Sequence, residues 1–330
     1  MKINLKLALL LESLIILLLI GVLVRDYAGS KKISISAAAV QSGNNFLSNR
    51  IYTKEFQPES FIISDFTPLR DEVQQYLNEK NKNISVYVVN LRNGVSMGIN
   101  EKNKFWPASL NKMPIAVAVM KKVEKNGFTL DTKLQILESD RDDDFELFYK
   151  NNETEATVGD LMEKMLKSSD NTAMRTLVRN IDPYELDLVL DYYGINLTER
   201  PTTGYKEYTS PKSMYNIFSS LYLSSVLDKE HSEYILSLLA NTILNMNRLA
   251  EVPDDVTIVH KFGEKYVDNE QFYHDCGIMY INESRIFYCV MTKDVGQYDA
   301  VVIISHIINN VYNYVIGEKK ELRKYHSNLI

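Results

Sequence analysis

FWPASLNKMPIAVAVM, residues 105–120, sets a serine and a lysine three positions apart, Ser109 and Lys112, at the head of a run of small and apolar residues suited to a helix buried in the middle of a domain. Positions i and i+3 of a starting helix share one face, so Ser109 Oγ and Lys112 Nζ can come within hydrogen-bond reach. Pro107 precedes the pair and Pro114 follows it. Pro114 has no N–H to give Leu110, which leaves the first turn less fully locked than an ordinary one. Taken alone, Ser-x-x-Lys is a weak signal, because a capping serine and a surface lysine produce it as readily.

Before this stretch, TPLRDEVQQYLNEKNK (67–82) spaces Leu69, Val73 and Leu77 as a helix. ISVYVVNL and SMGIN then read as two antiparallel strands joined through Arg92-Asn93-Gly94, whose Asn-Gly is a strong hairpin signal. From Ser109 to about residue 250 the chain reads mostly helical, in VGDLMEKMLK (158–167), YELDLVLDYYG (184–194), PKSMYNIFSSLYLSSVL (211–227) and SEYILSLLANTI (232–243). Strand character returns in VTIVHKFG (256–263), QFYHDCGIMYI (271–281) and RIFYCVMTK (285–293), before a closing helix at 298–316. The expectation is an α/β (α+β) domain over 66–318. Its mostly antiparallel sheet is built from both ends of the domain and covered by helices, with an inserted helical lobe at about 115–250 and an active site in the seam. The acidic ESDRDDDFE (138–146) lacks the glycine and ligand spacing of a calcium loop and reads as a solvated surface.

Two more motifs bear on the pair. KSSDNTAM (167–174) holds Ser169-Asp170-Asn171 between two helices, where Ser-x-Asn can supply a hydroxyl for proton transfer and an amide to hold a substrate peptide bond; alone it is as well read as a helix cap. HKFGE (260–264) ends a strand with Lys-x-Gly: glycine lets a ligand backbone lie against the strand, and lysine supplies positive charge for an anion.

In this order, Ser109-Leu110-Asn111-Lys112, Ser169-Asp170-Asn171 and Lys261-Phe262-Gly263 resemble the S-x-x-K, S-D-N and K-T-G motifs of class A β-lactamases and penicillin-binding proteins. The resemblance covers roughly residues 66–318. It implies a β-lactamase/transpeptidase-like fold and a serine hydrolase that works through an acyl-enzyme on an amide or ester, with a peptidoglycan peptide or a β-lactam as the substrate class and no cofactor. Ser109 would be the nucleophile and Lys112 its base, a role that needs a partly neutral lysine, which burial and the neighbouring Lys261 would favour. Ser169 would relay protons toward the leaving nitrogen, Asn171 would bind substrate amide, Lys261 would hold a substrate carboxylate and Gly263 would give the substrate room. The Ser109 N–H would form half of an oxyanion hole, with His274, Asp275 or a neighbour as the other half.

The pattern departs from the family in two places. Phe262 stands where the family has threonine, removing a hydroxyl that helps bind a carboxylate. The E-x-x-L-N context of the deacylating glutamate is also missing: Glu199 in ERPTT and Glu207 in EYTSP do not match it. These departures motivate an alternative, a catalytically weak or inactive member of the fold serving as an envelope binding module. His260 and His274 fall near the expected site without a third ligand at metal-like spacing, so no metal is expected.

Residues 7–24, LALLLESLIILLLIGVLV, form an apolar run between Lys6 and Arg25 that reads as an uncleaved single-pass anchor, within an N-terminal segment 1–25. It is longer than a signal-peptide core. Basic residues are nearly balanced across it, so the resemblance decides the orientation, with the domain outside the cytoplasmic membrane. Residues 26–65 read as a polar stalk and 319–330 as a tail. The formal net charge of −6 gives no basic footprint for nucleic acid. Cys276 and Cys289 face each other if Asn282-Glu283 is a two-residue turn. A cross-strand disulfide is then conceivable, although two buried reduced thiols is the favoured reading.

Overall fold

The computed structural model describes residues 46–47, 65–80, 83–141, 153–198 and 206–327. The expected anchor at 7–24 lies outside these residues. A five-stranded antiparallel sheet organises the chain in the order β2-β1-β9-β8-β7, where β1 is Asn83–Asn90, β2 Ser96–Ile99, β7 Thr257–Val267, β8 Glu270–Ile281 and β9 Ser284–Lys293. Strand β1 pairs with β9 from Asn83↔Lys293 to Asn90↔Ile286, so the two ends of the domain share one sheet, as the sequence predicts. Seven consecutive residues of β1, Ile84 to Asn90, are buried, which fits a strand covered on both faces.

Helices α1 (Thr67–Lys80) and α9 (Gln297–Ser327) cover one face of the sheet, against Val86, Val88, Met279, Ile286 and Val290. Within α9, Gln297–Gly317 is long and apolar enough to cross a membrane. Its Ile303, Ile307, Ile308, Val311 and Val315 instead pack into this core. On the other face stands the helical lobe: α2 (Lys112–Glu124), α3 (Val158–Lys167), α4 (Asn171–Arg179), α5 (Pro183–Tyr192), α6 (Pro211–Tyr222) and α7 (Lys229–Leu239), whereas the short α8 (Met246–Leu249) packs Met246 into the core under α1 and α9. Side-chain caps start these helices: Thr157 accepts from Asp160 N, Asp170 from Ala173 N, and Ser210 from Ser213 N ahead of Pro211. Short pairs β3 (Lys133–Gln135) with β4 (Glu155–Thr157), and β5 (Asn196–Thr198) with β6 (Lys206–Tyr208), lie within the lobe span.

The structure differs from the sequence reading at several points. Asp140, inside the run read as a solvated surface, is buried: Arg179 Nη2 donates to its Oδ2 at 2.8 Å and the Leu137 N–H at 3.0 Å. An aspartate at this depth needs such partners. Phe46 and Leu47, in the span read as a stalk, are buried in the lobe core, and both backbone N–H groups donate to the Glu233 carboxylate. Cys276 and Cys289 are directly opposite on β8 and β9 and are joined as a disulfide, whereas the sequence reading favoured free thiols.

Candidate active site

The chain reaches Ser109 through a tight 3-10 turn, Ala108–Asn111, and enters α2 at Lys112. Pro114 accounts for the junction. It sits in the first turn of α2, where an N–H has no intrahelical acceptor, so the helix can start only there and the residues before it close with shorter hydrogen bonds. Every residue from Lys112 to Met120 is buried, so the lysine stands at the inner end of a core helix while Ser109, one turn earlier, remains partly exposed.

Lys112 Nζ draws the first two motifs together. It lies within hydrogen-bond reach of Ser109 Oγ at 2.9 Å, Ser169 O at 2.8 Å, Ser169 Oγ at 3.2 Å and Asn171 Oδ1 at 2.7 Å, one more oxygen than it has protons to give. Ser169 takes a positive φ of 58° just before the Asp170 cap of α4. Such a conformation is uncommon for a residue with a Cβ, and here it accompanies a carbonyl and a hydroxyl that both reach the same ammonium.

The third motif closes the group from β7. Lys261 Nζ donates to Ser169 Oγ at 2.9 Å, which places that hydroxyl between two lysines. Burial holds the Lys261 ammonium well below the ordinary lysine range, the charge of Lys112 pushes it the same way, and Asp275 opposes both. Gly263 sets the spacing between strand and turn: a Cβ there would stand 3.2 Å from Pro107 O and 3.3 Å from Ser109 N. Glycine therefore lets β7 lie against the turn that carries the serine.

The register of β7 supplies a candidate second oxyanion donor. A two-residue turn at Asp268-Asn269, both with positive φ, closes the β7–β8 hairpin at Val267↔Glu270. Alternation from that hydrogen-bonded pair makes Glu264↔Tyr273 a pair whose N–H groups point away from each other. Strand β7 is at the sheet edge, so the Glu264 N–H points outward on the side where the Ser109 turn packs. His274 and Asp275, the residues named from sequence for this place, are both on the interior strand β8 and already engaged. The His274 ring bonds Trp106 O through Nε2 at 2.8 Å, and Asp275 accepts from Tyr288 at 2.6 Å and pairs with His260 at 2.8 Å.

The cleft at Ser109 has a volume of about 640 Å³. Besides the predicted Ser109, Lys112 and Asn171, its walls include Trp106, Arg175, Glu264, Lys265 and Tyr266, which sequence reasoning did not single out. Arg175 was within reach of it, because it lies four residues after Asn171 on one helix face. Lys265 and Tyr266 follow from the strand running past Gly263, where the sequence reading ended it. The side chains of Glu199 and Glu207 lie outside the described residues. Glu264 is the one carboxylate among the described cleft residues, and its Oε1 accepts from Gln297 Nε2 at 3.3 Å.

Comparison with known proteins matches residues 68–315 to the model of the Beta-lactamase enzyme family. The chain belongs to that family. This beta-lactamase-family chain is 23% identical over 275 residues to beta-lactamase VEB-1 of Pseudomonas aeruginosa, which covers 75% of this chain and 90% of that one. Its fold matches a beta-lactamase from Chitinophaga pinensis with a TM-score of 0.68 at 19% identity, over 76% of this chain and all of the other. It also matches PBP-A with a TM-score of 0.68 at 21% identity, over 76% of this chain and 97% of that one. The α+β architecture, an antiparallel sheet covered by helices, is the beta-lactamase/transpeptidase-like fold.

Proposed function

We propose that this protein is a serine hydrolase that accepts the acyl group of an amide or ester on Ser109. The observation that carries this reading is the line of contacts from Ser109 Oγ through Lys112 Nζ to Ser169 Oγ and Lys261 Nζ, each within 3.2 Å of the next. In the reaction Ser109 Oγ bonds to the acyl carbon while its proton passes to Lys112 in its neutral amine form. The developing oxyanion is met by the N–H groups of Ser109 and Glu264. The carbon–leaving-atom bond then breaks, and Ser169 passes a proton to the leaving atom and recovers one from Lys112. Asn171, whose Oδ1 meets Lys112, would bind a substrate amide, and Gly263 lets β7 lie close to the Ser109 turn.

In this reading the apolar segment 7–24 anchors the chain with its N-terminus inside, the domain acts outside the cytoplasmic membrane, and the substrate is a cell-wall peptide. The unmatched glutamate context supports slow release of the acyl group, hence a penicillin-binding-protein-like rather than a beta-lactamase-like turnover. The test is ester hydrolysis by the full-length chain in detergent. Ser109→Ala should abolish it, and Lys112→Ala should lower kcat/KM by on the order of 10²–10⁴-fold at unchanged fold. Activity that survives Ser109→Ala would reject the proposal, and no turnover or adduct in folded protein would favour the binding-module alternative.

A further inference from the structure

The resemblance implies that Lys261 holds a substrate carboxylate, but the structure gives its ammonium other partners. Lys261 is fully buried; Nζ donates to Ser169 Oγ at 2.9 Å and to Phe262 O at 3.0 Å, and lies 4.3 Å from the centroid of the Phe262 ring. Two oxygens and one aromatic face therefore already surround this nitrogen. Behind β7 a cavity of about 130 Å³ is lined by Phe262, Leu244, Met246, Tyr273, Val301 and Ser305. Among its described walls there is no lysine or arginine, and the charged residues there are the acids Asp275 and Glu264. The hydroxyl of Ser305 is buried without a hydrogen-bond partner among the described residues. A carboxylate reaching this corner would meet the negative face of a ring, two acids and a lysine already engaged, so it would lose its hydration without gaining a counter-charge.

We infer that Phe262 closes the anion subsite of the catalytic centre, so that the acyl donor carries no carboxylate on its leaving group. This rests on the serine-hydrolase reading and narrows it to esters and amides that are neutral on that side, such as a peptide bond within a chain rather than one next to a free C-terminus. The corner serves the leaving side because Lys261 touches Ser169, the group that returns the proton to the leaving atom. In the step itself Ser109 Oγ gains the acyl carbon, the leaving atom departs with that proton, and no oxidant or cofactor is needed.

Two thioesters with one acyl group test this: benzoylglycyl thioglycolate, whose leaving group is charged, and its methyl ester, whose leaving group is neutral. Relative to the ratio of their hydroxide-catalysed rates in buffer, the full-length chain in detergent should be acylated at Ser109 roughly tenfold faster by the methyl ester. Phe262→Thr should shift the ratio toward the acid by about tenfold. A wild-type preference for the acid, drawn by Arg175, Lys265 or any other cation, overturns the inference, and so does an unchanged ratio in folded Phe262→Thr. The wild-type ratio, so corrected, decides the matter even if the variant does not fold. If neither thioester modifies Ser109, the hydrolase reading falls and this inference with it; a reversed ratio with Ser109 modified removes only the inference.

Discussion

Lys112 and Lys261 bring two amine groups to one hydroxyl in a buried space, an arrangement that costs folding energy and that the proposed reaction would use. Lys261→Met should therefore leave stability unchanged or raise it by about 1–3 kcal/mol in denaturant unfolding, while lowering acylation by on the order of 10²-fold. His274 makes a pH prediction with a definite sign. Burial pushes its pKa from 6.5 down to about 4, against the hydrogen bond to Trp106. The unfolded chain binds this proton as pH falls through about 6.5 and the folded chain binds it only near 4, so the neutral ring favours the fold above that window and ~3 kcal/mol is lost as pH falls through it. Urea unfolding at pH 7.5 and pH 4.5 should show that loss in the wild type and a smaller one in His274→Gln. At this scale the sequence made Ser109, Lys112, Ser169, Asn171 and Lys261 legible because each motif is local. The ring of Phe262 over Lys261 was not legible, since it depends on where a side chain turns at a strand edge.

Strand β7 carries much of the site, and its position depends on two glycines. A Cβ at Gly277 would stand 2.4 Å from Val259 O and 2.7 Å from His260 Cβ, so Gly277→Ala should push β7 away from β8 and cost several kcal/mol, read as a fall in Tm of the order of 10 °C. A Cβ at Gly263 meets the Ser109 turn less severely, at 3.2–3.3 Å. Gly263→Ala should leave Tm within a few degrees but lower kcat/KM about tenfold or more, because the serine and the Glu264 N–H move apart. The long elements were legible through period and turn chemistry: α3 spans the predicted residues 158–167, and the β8–β9 hairpin register sets Cys276 opposite Cys289. The pairs β3–β4 and β5–β6 were missed because three residues are too few to show a period. The burial of Asp140 was missed because its partner, Arg179, lies 39 residues away.

In the whole domain the first and last strands meet at β1–β9, and the chain ahead of α1 also contributes to the core. Leu47 is 1% exposed, and Phe46 packs edge-on against Tyr280 with ring centroids 5.4 Å apart. Leu47→Ala in the full-length chain should lower unfolding stability by about 2–4 kcal/mol, whereas a stalk residue in solvent would change it by less than ~0.5 kcal/mol. The packing of sheet and lobe brings Ser109, Ser169 and Lys261 together although they span more than 150 residues of chain. The most direct test of that convergence is intact-protein mass spectrometry of the full-length chain after exposure to a fluorophosphonate and, separately, to a penicillin, with the modified residue located by peptide mapping. A single adduct on Ser109 with at least one of these reagents, absent in Ser109→Ala and strongly slowed in Lys112→Ala, is the predicted result. Folded protein that stays unmodified by both, or carries its adduct on another residue, would contradict the account.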